Sequence, residues 1–127
     1  MIDHVSIAVR DLQGCARFYE VLLAPLGYSK LVERPATIGF GKKYPELWLN
    51  ERRSATPPDP DTGHHICLRA ASVEAVQAFH AAALRAGGAS DGVPGPRAGE
   101  MAGYYAAFIR DPEGNKIEAA RFTAKQT

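Results

Sequence analysis

The chain has little of what would commit it to a specialised class. Among its 127 residues there are two cysteines, two methionines and one tryptophan. Cys15 and Cys67 are too few for a disulfide framework and are expected to be reduced thiols of a cytoplasmic protein. No apolar run approaches the ~18 residues that a membrane span needs. The opening Met-Ile-Asp-His leads directly into strand-like sequence, so no signal peptide is expected. An excess of one charge is also missing. Fifteen basic and fourteen acidic side chains give a formal net charge of +1, which excludes a strong electrostatic case for nucleic acid or an anionic membrane. The length suits one domain, large enough to bury a core without covalent staples.

What is present is a pattern that runs twice. Val5, Ile7 and Val9 alternate with His4, Ser6 and Ala8, the period of a half-buried strand. Asp11 is placed to cap a helix whose apolar positions are Leu12, Cys15, Ala16, Tyr19, Leu22 and Leu23. Pro25 and Gly27 end it. Strands are expected at Tyr28–Glu33, Thr37–Gly41 and Glu46–Asn50. Residues 51–63 hold three prolines and no apolar period, and read as a polar linker. The pattern then restarts. His65–Ala70 is a strand, Ser72 a second helix cap, and Val73, Val76, Phe79, Ala83 and Leu84 an apolar helix face closed by Gly87-Gly88. Residues 88–103 look loop-like, with a strand expected near Gly88–Val93. Gly103–Arg110 and Asn115–Phe122 are strands joined by the turn Asp111-Pro112-Glu113-Gly114. Adding 61 takes His4 to His65, Val5 to Ile66, Ile7 to Leu68, Phe18 to Phe79 and Gly27 to Gly88. Five ordered matches indicate an internal duplication.

The expectation is an α+β fold of two βαβββ modules, with module one at 1–50, the linker at 51–63 and module two at 64–122, in a single domain spanning 1–127. A helix covers one face of each sheet, and the other face needs a partner. Alternation sends His4, Glu46, Trp48, His65, Cys67, Arg69 and Glu118 to the faces away from the helices. Two sheets curling together would bring His4, Trp48, His65 and Glu118 into one cup.

The Asp3-His4-Val5 strand opening, its repeat at Gly63-His64-His65-Ile66, and the ending Asp111-Pro112-Glu113-Gly114-Asn115-Lys116-Ile117-Glu118 resemble the vicinal-oxygen-chelate superfamily of glyoxalase I, bleomycin-resistance proteins and extradiol dioxygenases. The resemblance runs from residue 2 to about residue 122. It implies a glyoxalase-like, cup-shaped mixed β-sheet, usually in a homodimer. It also implies a divalent metal with one ligand from the first and last strand of each module. By position those places are His4, Trp48, His65 and Glu118. Tryptophan cannot ligate, which departs from glyoxalase I; Glu46 is a displaced substitute on the same face. The remaining His4, His65 and Glu118 resemble a facial triad with open positions, which would accept Fe, Mn, Ni or Zn.

Around this set, Trp48 faces the cup as a stacking wall, and one of Tyr104 and Tyr105 points inward with its hydroxyl. Arg97 is a candidate for an anionic ligand. His64 points away from His65, His80 belongs to surface or packing, and Cys67 reads as a small apolar filler. Two functions stand side by side. One is a metal-dependent lyase, isomerase or dioxygenase acting on a chelating oxygenated small molecule, with Glu118 or Glu46 moving the proton. The other is a metal-free binding protein of the bleomycin-resistance type, a dimer holding an apolar compound against Trp48 and a tyrosine. No feature points to nucleic acid or membrane.

Overall fold

A computed structural model describes residues 1–99 and 102–123. The chain order is β1 (Val5–Val9), α1 (Leu12–Leu23), β2 (Ser29–Glu33), β3 (Thr37–Gly41), β4 (Pro45–Glu51), β5 (Ile66–Arg69), α2 (Val73–Arg85), β6 (Ala89–Pro96), β7 (Tyr105–Arg110) and β8 (Lys116–Arg121). There are two four-stranded sheets, ordered β1-β4-β3-β2 and β5-β8-β7-β6. In each, the first and last strands of the module run parallel and the other pairs antiparallel. The duplication is exact in register: Ser6 lies opposite Trp48, and Cys67, 61 positions after Ser6, lies opposite Glu118. Trp48 and Glu118 are therefore equivalent places in the two modules.

Both helices start as their cap residues require. Asp11 accepts from Gly14 N at 3.0 Å, and Ser72 from Ala75 N at 3.1 Å. Gly14 leaves room for the first cap, since a Cβ there would stand 2.2 Å from the Asp11 carboxylate and push it off the amide. Helix α1 gives way to a 3-10 turn at Ala24–Leu26, and Gly27 at φ 85° reverses the chain in the left-handed region that glycine enters without penalty. The inner face of α1 carries Leu12, Cys15, Phe18, Tyr19, Leu22 and Leu23, all buried. In α2 the inner face is Val76, Phe79, His80, Ala82 and Ala83. Leu84, which the apolar period placed inward, is 45 % exposed. His80 takes an inward place instead, held by Ser90 at 2.8 Å.

The two helices join one core, so the modules share it through their helix sides. Phe18 lies against Gly88, where a Cβ would approach its ring at 2.7 Å, and packs edge-on against Tyr19. A second joint is polar. Glu113, from the turn before β8, accepts from Arg10 N at 2.6 Å and Asp11 N at 2.7 Å. It thus caps the first module's helix start with a carboxylate from the second. Beside it Tyr19 donates to Asp111 at 2.6 Å.

Strand β6 extends to Pro96, further than expected. It is an edge strand with register shifts at Ser90/Gly92 and Gly92/Gly95, where prolines are tolerated because no ladder donor is lost. Among the described residues no helix is long and apolar enough to cross a membrane.

Candidate functional site

Strand alternation turns the same residues outward on both sheets. In β1, Ser6 and Ala8 are exposed while Val9 is buried; in β5, Cys67 and Arg69 are exposed while Leu68 is buried. The faces away from the helices therefore carry the chemistry, but they carry it as two separate half-sites.

The half-site of module two is built around Glu118. Its carboxylate is 3 % exposed, on a strand whose neighbours Ile117, Ala119 and Ala120 are apolar and buried. His65 Nε2 lies 2.9 Å from Oε1, and the Tyr104 hydroxyl donates to Oε2. The Cys67 thiol, directly opposite in the ladder, reaches the same carboxylate. Phe108, opposite Glu118 on β7, supports the His65 ring at 5.8 Å between centroids. Arg97 and Lys116 lie over the Phe108 ring at 5.7 and 5.0 Å. Burial and then Glu118 push the Cys67 thiol up to about 12, and the same two causes push Tyr104 up to about 12. Both are neutral hydrogen-bond donors at physiological pH. Cys67 is exposed rather than an apolar filler.

The half-site of module one is shallower. His4, Ser6, Arg34, Thr37, Trp48 and Asn50 line a hollow of about 190 Å³. Trp48 lies across Gly39, where a Cβ would come within 3.0 Å of its ring, and beneath the Arg34 guanidinium at 5.4 Å. His4 pairs with Asp3 at 2.7 Å. Glu46 faces the Tyr28 hydroxyl, whose pKa is pushed up to about 12 by burial and then by Glu46.

The structure thus brings His65, Glu118 and Tyr104 together, and separately His4 and Trp48. It does not bring His4 to Glu118 within one chain. Among the described residues no group of three His, Cys, Asp or Glu side chains gathers that could hold a metal ion. Tyr105 points to the helix side, where its hydroxyl accepts from Gln77 at 3.1 Å. Arg97 is turned back on its own strand, donating to Val93 O at 2.5 Å.

A larger cavity, about 460 Å³, opens at the seam between β1 and β5. Its floor includes Val5, Ile7, Ile66 and Ile117, and linker residues Pro57 and Pro58 wall it. The two sheets are not hydrogen-bonded to each other, so the outer edges of β1 and β5 border this cavity. Sequence reasoning missed it, and it missed Phe108 and the capping role of Glu113. The one available signal for Phe108 was its place two residues before Arg110 in the strand that meets Glu118.

A donor set of one imidazole nitrogen and one carboxylate oxygen, 2.9 Å apart and aimed at each other, fits two ligands of a divalent ion. A third ligand has to come from beyond this face.

Comparison with known proteins agrees with the architecture. The family model described as Glyoxalase/Bleomycin resistance protein/Dioxygenase superfamily matches residues 1–119. A glyoxalase/bleomycin resistance protein from Albidiferax ferrireducens T118 is 32% identical, with TM-score 0.83, over 94% of this chain and 97% of that one. A glyoxalase/bleomycin resistance protein/dioxygenase family enzyme from Burkholderia phytofirmans PsJN, 19% identical over 95% and 98% of the chains, superposes with TM-score 0.73. The fosfomycin resistance protein FosX from Listeria monocytogenes shares the fold at TM-score 0.70 and 16% identity, over 97% and 93%. None of the curated proteins compared matches the chain.

Proposed function

The chain belongs to the Glyoxalase/Bleomycin resistance protein/Dioxygenase superfamily, and from that premise we propose that it is a divalent-metal-dependent enzyme acting on an oxygenated small molecule that chelates the ion, by lyase, isomerase or dioxygenase chemistry. Members of the superfamily commonly use divalent metals and bind small-molecule substrates. The observation that carries the reading is Glu118. A carboxylate at 3 % exposure on an apolar strand, facing an imidazole at 2.9 Å, is costly to bury without a compensating charge. A divalent ion supplies that charge.

His65 and Glu118 would hold the ion, and His4 of a second chain would complete the set in a homodimer. Two features support the dimer. His4 and Trp48 are stranded on an open sheet face, and β1 and β5 each have an edge outside the sheet ladders, the kind of edge that proteins cover. When bound, the ion supplies Lewis-acid stabilisation of a developing oxyanion. The chain's own residues do the rest. Tyr104 donates a hydrogen bond from a neutral phenol, Phe108 and Trp48 wall the space and exclude water, and Arg97 lends positive charge at the rim. Glu46 is engaged with Tyr28, which leaves Glu118 as the carboxylate nearest the proposed chemistry.

A second reading rests on the fact that both Glu118 oxygens already have donors. Here a dimer binds an apolar compound between Trp48 of one chain and the Tyr104 and Phe108 face of the other, without metal or turnover. Elemental analysis of the purified protein beside a His4→Ala/His65→Ala variant separates the two. Near-stoichiometric metal, lost in the variant, is expected. A protein that stays metal-free after reconstitution with Fe(II), Mn(II), Ni(II) and Zn(II) would leave the binding reading alone.

A further inference from the structure

Module one carries Trp48 at the place where module two carries Glu118, and the hollow around it has a chemistry of its own. Three strands run side by side there. Ser6 and Gly39 flank Trp48 in register, and Ala8 and Thr37 flank Asn50 two residues further along the same face. Gly39 leaves room for the ring, since a Cβ there would stand 3.0 Å from it. Arg34 sits in the turn from β2 to β3, where its amide donates to Thr37 O at 2.8 Å, and its guanidinium lies 5.4 Å from the centre of the Trp48 ring. The lining is one-sided. Ser6, Thr37 and Asn50 bring neutral donors, Arg34 a permanent cation and His4 an imidazole, and among the described residues no carboxylate lines the hollow. Elsewhere on the surface cations meet acids: Arg10 pairs with Glu113, Lys30 with Glu20 and Glu33, and Arg110 and Lys116 with Asp91. Arg34 forms no ion pair and no side-chain hydrogen bond among the described residues. A guanidinium over an aromatic ring is held in orientation by the ring while its N–H fork stays available in the plane.

We propose that this hollow is an oxyanion subsite: the N–H fork of Arg34 receives a carboxylate or phosphoryl group of the ligand, with the neutral donors of Ser6, Thr37 and Asn50 around it. Planar oxyanions match the fork with two parallel hydrogen bonds. The substrate class so named is an anionic, oxygen-rich small molecule rather than an apolar one, because the guanidinium covers the ring face on which a flat apolar ligand would stack. Trp48 is then a positioning residue for Arg34. The proposal rests on the reading above that this sheet face belongs to the cup that takes an oxygenated ligand. His4 lines the same hollow, which sets the anionic group beside the oxygens that would chelate the ion. Recognition of the anion is non-covalent and does not itself require the ion, so it can be tested without one.

Trp48 is the chain's single tryptophan, so its fluorescence reports on this hollow. The full-length protein, in EDTA and at fixed ionic strength, is titrated with benzoate, with phenylphosphonate and with benzamide, the neutral counterpart of benzoate. At least one anion should change the emission saturably, with a dissociation constant roughly 10-fold or more below that of benzamide, the scale of one hydrogen bond to a charged group. The tighter anion identifies the group that Arg34 takes. Arg34→Gln should bring anion and amide level, and Arg34→Lys, which keeps the charge and loses the fork, should retain part of the preference. Arg34 is exposed, so both variants should fold as wild type, which circular dichroism checks. Benzamide bound as tightly as the anions, an anion preference that survives in Arg34→Gln, or no saturable change with either anion overturns the subsite. The metal reading is scored separately, by the metal content of the untreated protein. A metal-bearing protein without anion preference sinks the subsite alone, and a metal-free protein with it sinks the metal centre alone.

Discussion

Glu113→Ala should cost more stability than any other substitution on the surface of this chain. The side chain is 10% exposed, and it accepts from the amides of Arg10 and Asp11 at 2.6 and 2.7 Å and from the Cys15 thiol at 3.3 Å. The two amides belong to the entry of α1, where no intrahelical acceptor is available. A hydrogen bond to a charged group contributes about 1.5–3 kcal/mol. The half-exposed Arg10 pair adds little, and bonds sharing one carboxylate do not sum. The expected loss is about 3 kcal/mol for Glu113→Ala, and about half of that for Glu113→Gln, which keeps shape and one acceptor. At about 4 °C per kcal/mol for a chain of this size, the alanine variant should melt about 12 °C lower. The effect also has a pH signature. Burial alone would raise the Glu113 pKa, but the amides of Asp11 and Arg10 outweigh it and hold it below 4.5. A depressed carboxylate stabilises fully above its unfolded pKa and loses that contribution as pH falls through the folded value. The gap between wild type and Glu113→Gln should be constant from about pH 5.5 to 8 and close below about 4.5. Urea unfolding across that range reads it. A Glu113→Gln variant within about 0.5 kcal/mol of wild type at pH 7 would refute the idea that this carboxylate joins the modules.

Further outcomes follow from other buried groups. Tyr19→Phe removes a fully buried hydroxyl from Asp111, which keeps the Glu113 and Asn115 amides as donors; unfolding free energy should fall by about 1–2 kcal/mol. Burial lowers the His80 pKa below 6.5, so stability should drop as pH falls through that region while the unfolded chain takes up the proton, and His80→Gln should flatten the dependence in melting curves. Thiol labelling at pH 8 should modify Cys67 slowly, because its pKa lies at about 12, and leave the buried Cys15 untouched until denaturant is added; fast labelling of Cys67 would contradict its bond to Glu118. Gly41→Ala would place a Cβ 1.9 Å from the Tyr44 carbonyl and should lower the soluble yield or the melting temperature markedly.

Much of the fold could be read before the structure, and the reasons are local. Asp11 and Ser72 cap helices because a short acceptor ahead of an apolar period has few other uses, and both make that bond. The family resemblance placed Trp48 and Glu118 in equivalent positions on the last strands of the two modules, and the ladders agree, since Ser6 and Cys67, which are 61 positions apart, lie opposite them. Alternation required Tyr104 and Tyr105 to take opposite faces but did not say which took the site face; the structure gives Tyr104 to Glu118 and Tyr105 to Gln77 on the helix side. What could not be read depends on distance along the chain. Glu113 meets Asp11 across 102 positions, and no periodicity carries that information. Prolines 94 and 96 hid the length of β6, because an edge strand tolerates them without a local signal. Alternation tells which face a residue takes, not which faces meet. His4 and Glu118 therefore looked like members of one cup, while within a chain they lie on different sheets.

That division makes the two-chain site testable by complementation. A chain carrying His4→Ala is co-expressed with a chain carrying His65→Ala and Glu118→Gln, the mixed dimer is isolated through two different tags, and bound Co(II) is counted. If His4 of one chain joins His65 and Glu118 of the other, the mixed dimer rebuilds one intact site and should hold one ion per dimer, while each parent homodimer holds none. A wild type loaded at one ion per chain beside an empty mixed dimer would contradict the exchanged site directly.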